Sequence, residues 1–253
     1  MTGWWRGKHT GGKTVPEAAG PESPADPVYG TLPGEVVGPG GPRAVTLSVL
    51  GDGVVLTADE STDDPRTYRW ADVAHMWCAN DVDGSLVPDG TVVTQWIHLW
   101  RLEFTDGTVV ALRLADPPVA TPESVFRSGR ISPSAPSAIA PLLARIGDPV
   151  TELHLVRARA SLAAGGQVEF GPLTATSDGL RHDGRQIPWR DITSCRYSVI
   201  IADEDESELG AMLRMEYRVE GGAYGIPFGW LRLPALEVPD MGVVVRLADE
   251  NRT

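Results

Sequence analysis

One short motif occurs twice in this chain, and it restricts the possible folds more than any other feature. Tyr68-Arg69-Trp70-Ala71-Asp72-Val73 and Ile187-Pro188-Trp189-Arg190-Asp191-Ile192 both read apolar-x-Trp-x-Asp-(Val/Ile). Each follows an Asp-Gly pair, Asp52-Gly53 or Asp178-Gly179, and each precedes a stretch with a lone cysteine, Cys78 or Cys195. Two distant copies with like neighbours imply a duplicated unit. In a structural reading, Trp70 and Trp189 are core or corner residues, and Asp72 and Asp191 accept backbone N–H bonds at a turn. In a functional reading the two indoles line binding sites. Recurrence in both copies favours a role in specifying the fold.

The patterning around the motifs is mostly that of short strands. VTLSVL alternates Val45, Leu47 and Val49 with smaller residues, Asp52-Gly53 makes a turn, and VVLTA returns. In WIHLWRLEFTDGTVVALRL, the residues Trp96, His98, Trp100, Leu102 and Phe104 share one face and Asp106-Gly107 supplies the hairpin turn. Ile139, Leu142, Leu143 and Ile146 then fall at helical spacing, and Gly147 and Pro149 are expected to end that helix. VTELHLVRARASLAAGG predicts a second helix closed by Gly165-Gly166. Strands resume through QVEFGPLTAT, GLRH, RQIPW, ITSCRYSVII and MLRMEYRV, and VPDMGVVVRLADE predicts a short helix from Pro239. The order strands, helix, strands, helix agrees with a duplication.

Residues 1–42 are rich in Gly, Pro and small polar residues, so they read as a flexible tail that buries too little to offset its ordering entropy. Within it, Gly7-Lys8-His9-Thr10-Gly11-Gly12-Lys13-Thr14 satisfies the G-x-x-x-x-G-K-[ST] phosphate-loop pattern. A working loop of that kind needs a buried strand before it and a helix after it. Six residues precede Gly7 and a Pro-rich polar run follows Thr14, so the surroundings argue against nucleotide hydrolysis. Val199-Ile200-Ile201-Ala202-Asp203-Glu204 resembles a magnesium-holding strand end but sits in an antiparallel meander.

FGPLTATSDGLRHDGRQIPWRDITSCRY resembles the opening strands of bacterial pleckstrin-homology-like (PH-like) domains. It is similar more narrowly to a group of actinobacterial proteins with two such domains, through Gly165, Val168, Phe170, Gly171, Pro172 and Leu173 and through Val238-Pro239-Asp240 before a closing helix. The likeness covers residues 160 to 250 well and 44 to 146 loosely. It implies an α+β, mostly β fold: two PH-like domains, each a bent antiparallel sheet of about seven strands with a C-terminal helix, joined by a helical linker. The expected division is a tail over 1–42, domain 1 over 43–147, a linker helix over 148–165 and domain 2 over 166–253. Such a fold hosts binding more than catalysis.

The chemistry-bearing residues point the same way. The 253-residue chain has a net charge of -12, which disfavours nucleic acid and anionic lipid. The loops where a PH-like domain would gather lysines for a phosphoinositide read Leu50-Gly51-Asp52-Gly53 and Thr176-Ser177-Asp178-Gly179, so anionic lipid binding is not expected. No apolar run is long enough to span a bilayer, no signal peptide is apparent, and two distant cysteines suit a reducing cytoplasm. His9, His75, His98, His154 and His182 show no metal-ligand spacing; His98 reads as a satisfied core residue and His182 as exposed. No nucleophile elbow or Ser-His-Asp set is evident, so no catalytic residue, cofactor or metal is expected. The partner-contact candidates are the acidic run Asp203, Glu204, Asp205, Glu206 and Glu208, which suits a basic protein partner, and the aromatic pair Trp4 and Trp5, which either docks back onto the body or meets a partner. The expected function is a non-catalytic protein-interaction module. The alternatives are a lipid or small apolar ligand at the open end of the sheet and, further off, a nucleotide held by the GxxxxGKT match.

Overall fold

The computed structural model describes residues 27–58, 64–86, 91–122, 137, 139–200, 210–219 and 228–252. It is mostly β, with antiparallel sheets and few helices. The strands of the first half are β1 (Gly30–Gly38), β2 (Gly41–Val49), β3 (Gly53–Ala58), β4 (Arg66–Arg69), β5 (Val73–Leu86), β6 (Thr91–Phe104), β7 (Val109–Ala115) and β8 (Val119–Pro122), followed by helix α1 (Ala140–Ala163). The second half holds β9 (Val168–Phe170), β10 (Leu173–Thr176), β11 (Gly179–His182), β12 (Arg185–Pro188), β13 (Ile192–Ile200), β14 (Gly210–Arg218), β15 (Phe228–Pro234) and helix α2 (Met241–Asn251). The first sheet runs β4-β3-β2-β1-β7-β6-β5 with β8 beside β6; the second half forms β12-β11-β10-β9 and β13-β14-β15.

The two Trp-x-Asp motifs form the same corner. Each lies on a single 310 turn, Trp70–Asp72 or Trp189–Asp191, between a short strand and a long one. The Trp70 indole N–H donates to the Gly51 carbonyl and the Trp189 indole to the Thr176 carbonyl, both at 3.0 Å. The Trp70 and Trp189 backbone N–H groups bond the Asp52 and Asp178 carbonyls at 2.9 and 3.1 Å. Both rings are buried, at 5% and 6% exposure. A Cβ on Gly53 would strike the Tyr68 carbonyl, and one on Gly179 would strike the Ile187 carbonyl, so the strand before each indole passes against a glycine. The strands that follow also share an irregularity: the register slips between Val73 and His75 in β5, and between Ile192 and Ser194 in β13. Counting from the motifs, Cys195 therefore matches Met76, and Cys78 matches Tyr197. The lone cysteines are not equivalent positions.

Three expectations change. The tail expected to reach residue 42 ends earlier, because β1 lies inside the first sheet between β2 and β7. Its Pro and Gly content lowers strand propensity, but pairing on both flanks and the burial of Leu32 override that. Gly34 is needed for close approach, since a Cβ there would sit 2.6 Å from Leu112 Cδ2. Second, Gly147 and Pro149 do not end a helix: α1 runs through both. The expected boundary between residues 147 and 148 therefore falls inside α1, and the helical part of the expected linker over 148–165 is the C-terminal part of that same helix, which ends at Ala163. Pro149 leaves only the Arg145 carbonyl without its helical donor. Gly147 lies over Trp100, whose Cη2 would be 2.8 Å from an added Cβ. Third, His182 is half-buried, with a side chain 20% exposed, where an exposed residue was expected.

Helix α1 serves two cores. Leu143, Ile146 and Val150 pack into a cluster with Leu47, Leu102 and Phe104. One turn on, Leu155 and Ala158 pack into a second cluster with Phe170, Leu180, Trp189 and Val244. Gly147→Ala gains about 1 kcal/mol of helix propensity but must displace the Trp100 ring, an overpacking cost of about 1–3 kcal/mol. We expect a net loss of stability together with a shift in tryptophan fluorescence, both measurable in one denaturant titration.

Candidate functional site

Strand β5 is the last strand of the first sheet, so among the described residues one side of its backbone has no strand partner. Side chains and loops of the second half cover that edge. The Asp240 backbone N–H donates to the Met76 carbonyl at 2.7 Å, and the Met76 N–H donates to Asp240 Oδ1 at 3.1 Å. Further along, the Asn80 N–H donates to the Tyr197 hydroxyl, which donates onward to the Asn80 carbonyl at 3.3 Å. An edge satisfied this way is closed to aggregation.

Asp240 is the hub of this seam. It precedes α2 with φ 52° and ψ 35°, a left-handed conformation that aspartate tolerates better than most residues. Its Oδ1 also meets His154 Nδ1 at 2.8 Å, and its Oδ2 meets His75 Nδ1 at 3.3 Å. His154 Nε2 faces the Val73 carbonyl at 2.8 Å. Each ring nitrogen of His154 thus faces an oxygen acceptor, one a carboxylate and one a backbone carbonyl. Burial pushes the Asp240 carboxyl up, but hydrogen bonds from His154 and His75 hold it below the usual carboxylate range. The hydrogen bond to Asp240 raises His75 above its ordinary value, against the opposing effect of partial burial.

The signs of these shifts set a pH window. The Asp240 contribution is present above the ordinary carboxylate range and lost as pH falls through its lowered folded value. The His75 contribution is present below the ordinary imidazole value and lost as pH rises through its raised folded value. The seam therefore contributes most between roughly pH 4 and 6.5. The His75 share is small, because its side chain is 46% exposed. The stability difference between wild type and His75→Ala should shrink above about pH 7, as read from denaturation midpoints over a pH series.

A second buried polar chain crosses the first half. His98 Nδ1 meets Asn80 Oδ1 at 2.8 Å and His98 Nε2 meets Asp116 Oδ2 at 3.1 Å. Ser137 Oγ donates to Asp116 Oδ1 at 2.6 Å and accepts from the Ile139 and Ala140 N–H groups at the start of α1. His98 is thus a satisfied core residue. The order is Ser–Asp–His, so the serine hydroxyl bonds the carboxylate and His98 stands on the far side of it, not beside the hydroxyl as in a Ser-His-Asp triad. The thiols are equally unsuited to attack: burial pushes Cys78 up to about 11 and Cys195 up to about 12. Among the described residues, no group of three His, Cys, Asp or Glu side chains could hold a metal ion.

Two clefts flank the seam. One, of about 690 Å³, lies between α1, α2 and β13; Cys78, Trp100, Met241 and Val245 line its apolar part, and the Arg246–Glu152 ion pair at 3.0 Å lies on its border. The other, of about 500 Å³, lies on the outer face of the first sheet, where Arg101 stacks over Trp77 at 4.6 Å near Leu99, Arg113 and Leu236. The outer face of β13-β14-β15 differs in character. Arg196 pairs with Arg214 and Arg214 with Arg232, which makes one cross-strand row, and Glu216 pairs with Trp230 in the next row. Trp230 is 57% exposed and Phe228 37%.

The residues singled out in the sequence separate clearly. Trp70 and Trp189 are corner residues, and Asp72 Oδ2 accepts the Arg69 N–H at 2.8 Å. Asp203, Glu204, Asp205, Glu206, Glu208, Trp4, Trp5 and the Gly7–Thr14 octet all lie outside the described residues. Sequence reading named His154 among the histidines and Asp240 before the closing helix, but gave neither a site role. The available signal was weak: His154 stands between Val150 and Ala158 on the buried stripe of α1, a position where a polar ring needs a partner. No family model matches this chain, and no curated protein matches it. Among the described residues, no helix is long and apolar enough to cross a membrane.

Proposed function

We propose that this chain is a non-catalytic protein-interaction module built from two PH-like units in tandem and working in the cytoplasm. The observation that carries the reading is the contrast between its polar and apolar surfaces. The histidines, carboxylates and serine with catalytic potential bond one another in the seam and in the buried chain. Two exposed aromatics, Phe228 and Trp230, stand together on β15, which among the described residues pairs with β14 alone. The element order supports tandem PH-like units: β1–β7 with α1, then β9–β15 with α2, around matching Trp corners. Affinity capture with the full chain tests the reading. It should retain a stoichiometric partner that the double variant Phe228→Ser, Trp230→Ser loses, and recovery of no partner by the wild type counts against it.

A second reading, a small apolar ligand, has one observation behind it: the 690 Å³ cleft with its Trp100, Met241 and Val245 lining. Native mass spectrometry of the purified full chain distinguishes the two, because a retained ligand would appear as a discrete added mass.

A further inference from the structure

The outer face of the first sheet carries a hollow at a place where the second half is filled. Counting from the Trp corners, β7 of the first half corresponds to β15 of the second. Val109 and Ala111 pair with Glu103 and Arg101, while Trp230 and Arg232 pair with Glu216 and Arg214. One row across the first sheet therefore reads Glu35, Ala111, Arg101 and Trp77. The matching row of the second half reads Arg232, Arg214 and Arg196, long side chains throughout. In the first row a single methyl group stands between Glu35 and Arg101. The surface sinks at Ala111 into the cleft of about 500 Å³, and the residues that line it belong to β1, β5, β6, β7 and the short turn holding Leu236.

The charges around this hollow are unequally used. Arg101 lies over the Trp77 ring at 4.6 Å and meets Glu103 at 3.7 Å. Neither the Arg113 guanidinium nor the Glu35 carboxylate has an ion pair or hydrogen bond among the described residues, and both line the cleft. Glu35 lies opposite Ala111, and Arg113 stands two positions further along β7 on the same face. Diagonal neighbours of that kind are about 7–8 Å apart. A direct contact between two such exposed groups contributes little to stability, so both remain available to a ligand. Leu99 lies directly opposite Arg113 on β6, and Trp77 and Leu236 extend that apolar wall.

We infer that this hollow binds an apolar α-amino acid, independently of any protein partner. The planar fork of Arg113 donates to the carboxylate, and Glu35 accepts from the ammonium group on the same carbon. The apolar side chain of the ligand lies over Ala111 against Leu99, Trp77 and Leu236. A cleft of this volume, apolar with a few convergent polar groups, suits a small molecule. A zwitterion satisfies both unpaired charges at once, whereas a simple carboxylate leaves Glu35 unmatched and a simple amine leaves Arg113 unmatched.

The probe is phenylalanine, titrated into the isotope-labelled full chain and followed by amide chemical shifts. Saturable shifts at Glu35, Ala111 and Arg113 are expected. Phenylpropanoate, which lacks the amine, and phenylethylamine, which lacks the carboxylate, should each bind about fivefold more weakly, the loss of one exposed charge pair. Arg113→Ala should lower the affinity for phenylalanine by a similar factor and abolish the preference over phenylethylamine. Glu35→Ala should abolish the preference over phenylpropanoate. Both variants should keep a thermal midpoint near wild type, because both side chains are exposed. Ala111→Leu, which fills the hollow, should remove binding. No saturable shift, equal affinity of the three probes, or unchanged binding by Ala111→Leu would overturn the inference.

Discussion

Asp240→Ala should cost about 3–5 kcal/mol of folding free energy, among the largest single-site effects expected in the molecule. The carboxylate accepts from the Met76 N–H and from His154 and His75. Removing it leaves the His154 N–H buried without an acceptor and one more edge group of β5 unpaired. The ordinary loss for a single hydrogen bond is about 1 kcal/mol; the charged and buried setting multiplies it. Asp240→Asn is the sharper variant. Asparagine tolerates the left-handed backbone and can still accept one bond, but it removes the negative charge that faces His154 and His75. Chemical denaturation should show most of the alanine loss in the asparagine variant at pH 6. A loss below about 1 kcal/mol would mean that shape, not charge, holds the seam. As pH falls through the lowered folded value of Asp240, the gap between the asparagine variant and wild type should narrow, because the carboxyl is then protonated in the folded state as well.

Trp189→Ala and Trp70→Ala should each cost about 3–5 kcal/mol, the usual range for emptying a large aromatic site in a core. The two rings are almost equally buried, and each indole N–H bonds one carbonyl in the turn before its strand. Matched environments predict matched costs, within about 1 kcal/mol of each other. Trp→Phe at either site should remove a smaller amount, close to the single lost bond plus the volume difference. Equilibrium unfolding of both variants, followed by far-UV circular dichroism, measures this. Strongly unequal costs would mean that the two corners are alike in trace but not in support.

The sequence made local features legible and long-range ones not. The β6–β7 hairpin could be read because apolar residues alternate on both sides of Asp106-Gly107, and the structure has that turn, with Gly107 at φ +82°. The Trp corners could be read because the motif repeats. Strand β1 could not: its Pro33, Gly34 and Gly38 look like tail, and only pairing with β2 and β7, far along the chain, makes it a strand. The continuity of α1 was hidden for a similar reason, since Gly147 signals a helix end unless Trp100 is known to lie against it. The seam was the least legible part. Asp240 and His154 are separated by 86 positions, and neither residue type announces a partner. The cysteines misled because their order along each strand looks equivalent, whereas the register from the corners places Cys195 two positions before the counterpart of Cys78.

The central claim is that β7 of the first half is paired on both sides, by β6 and β1, whereas among the described residues β15 of the second half pairs with β14 alone. Native-state amide hydrogen exchange, resolved by residue, tests it directly. Amides of β7 that point toward β1 should be protected close to the global stability, while amides of β15 that point away from β14 should exchange orders of magnitude faster. Equal protection of the two sets in the isolated full chain would contradict the claim, because it would mean that the edge of β15 is already covered.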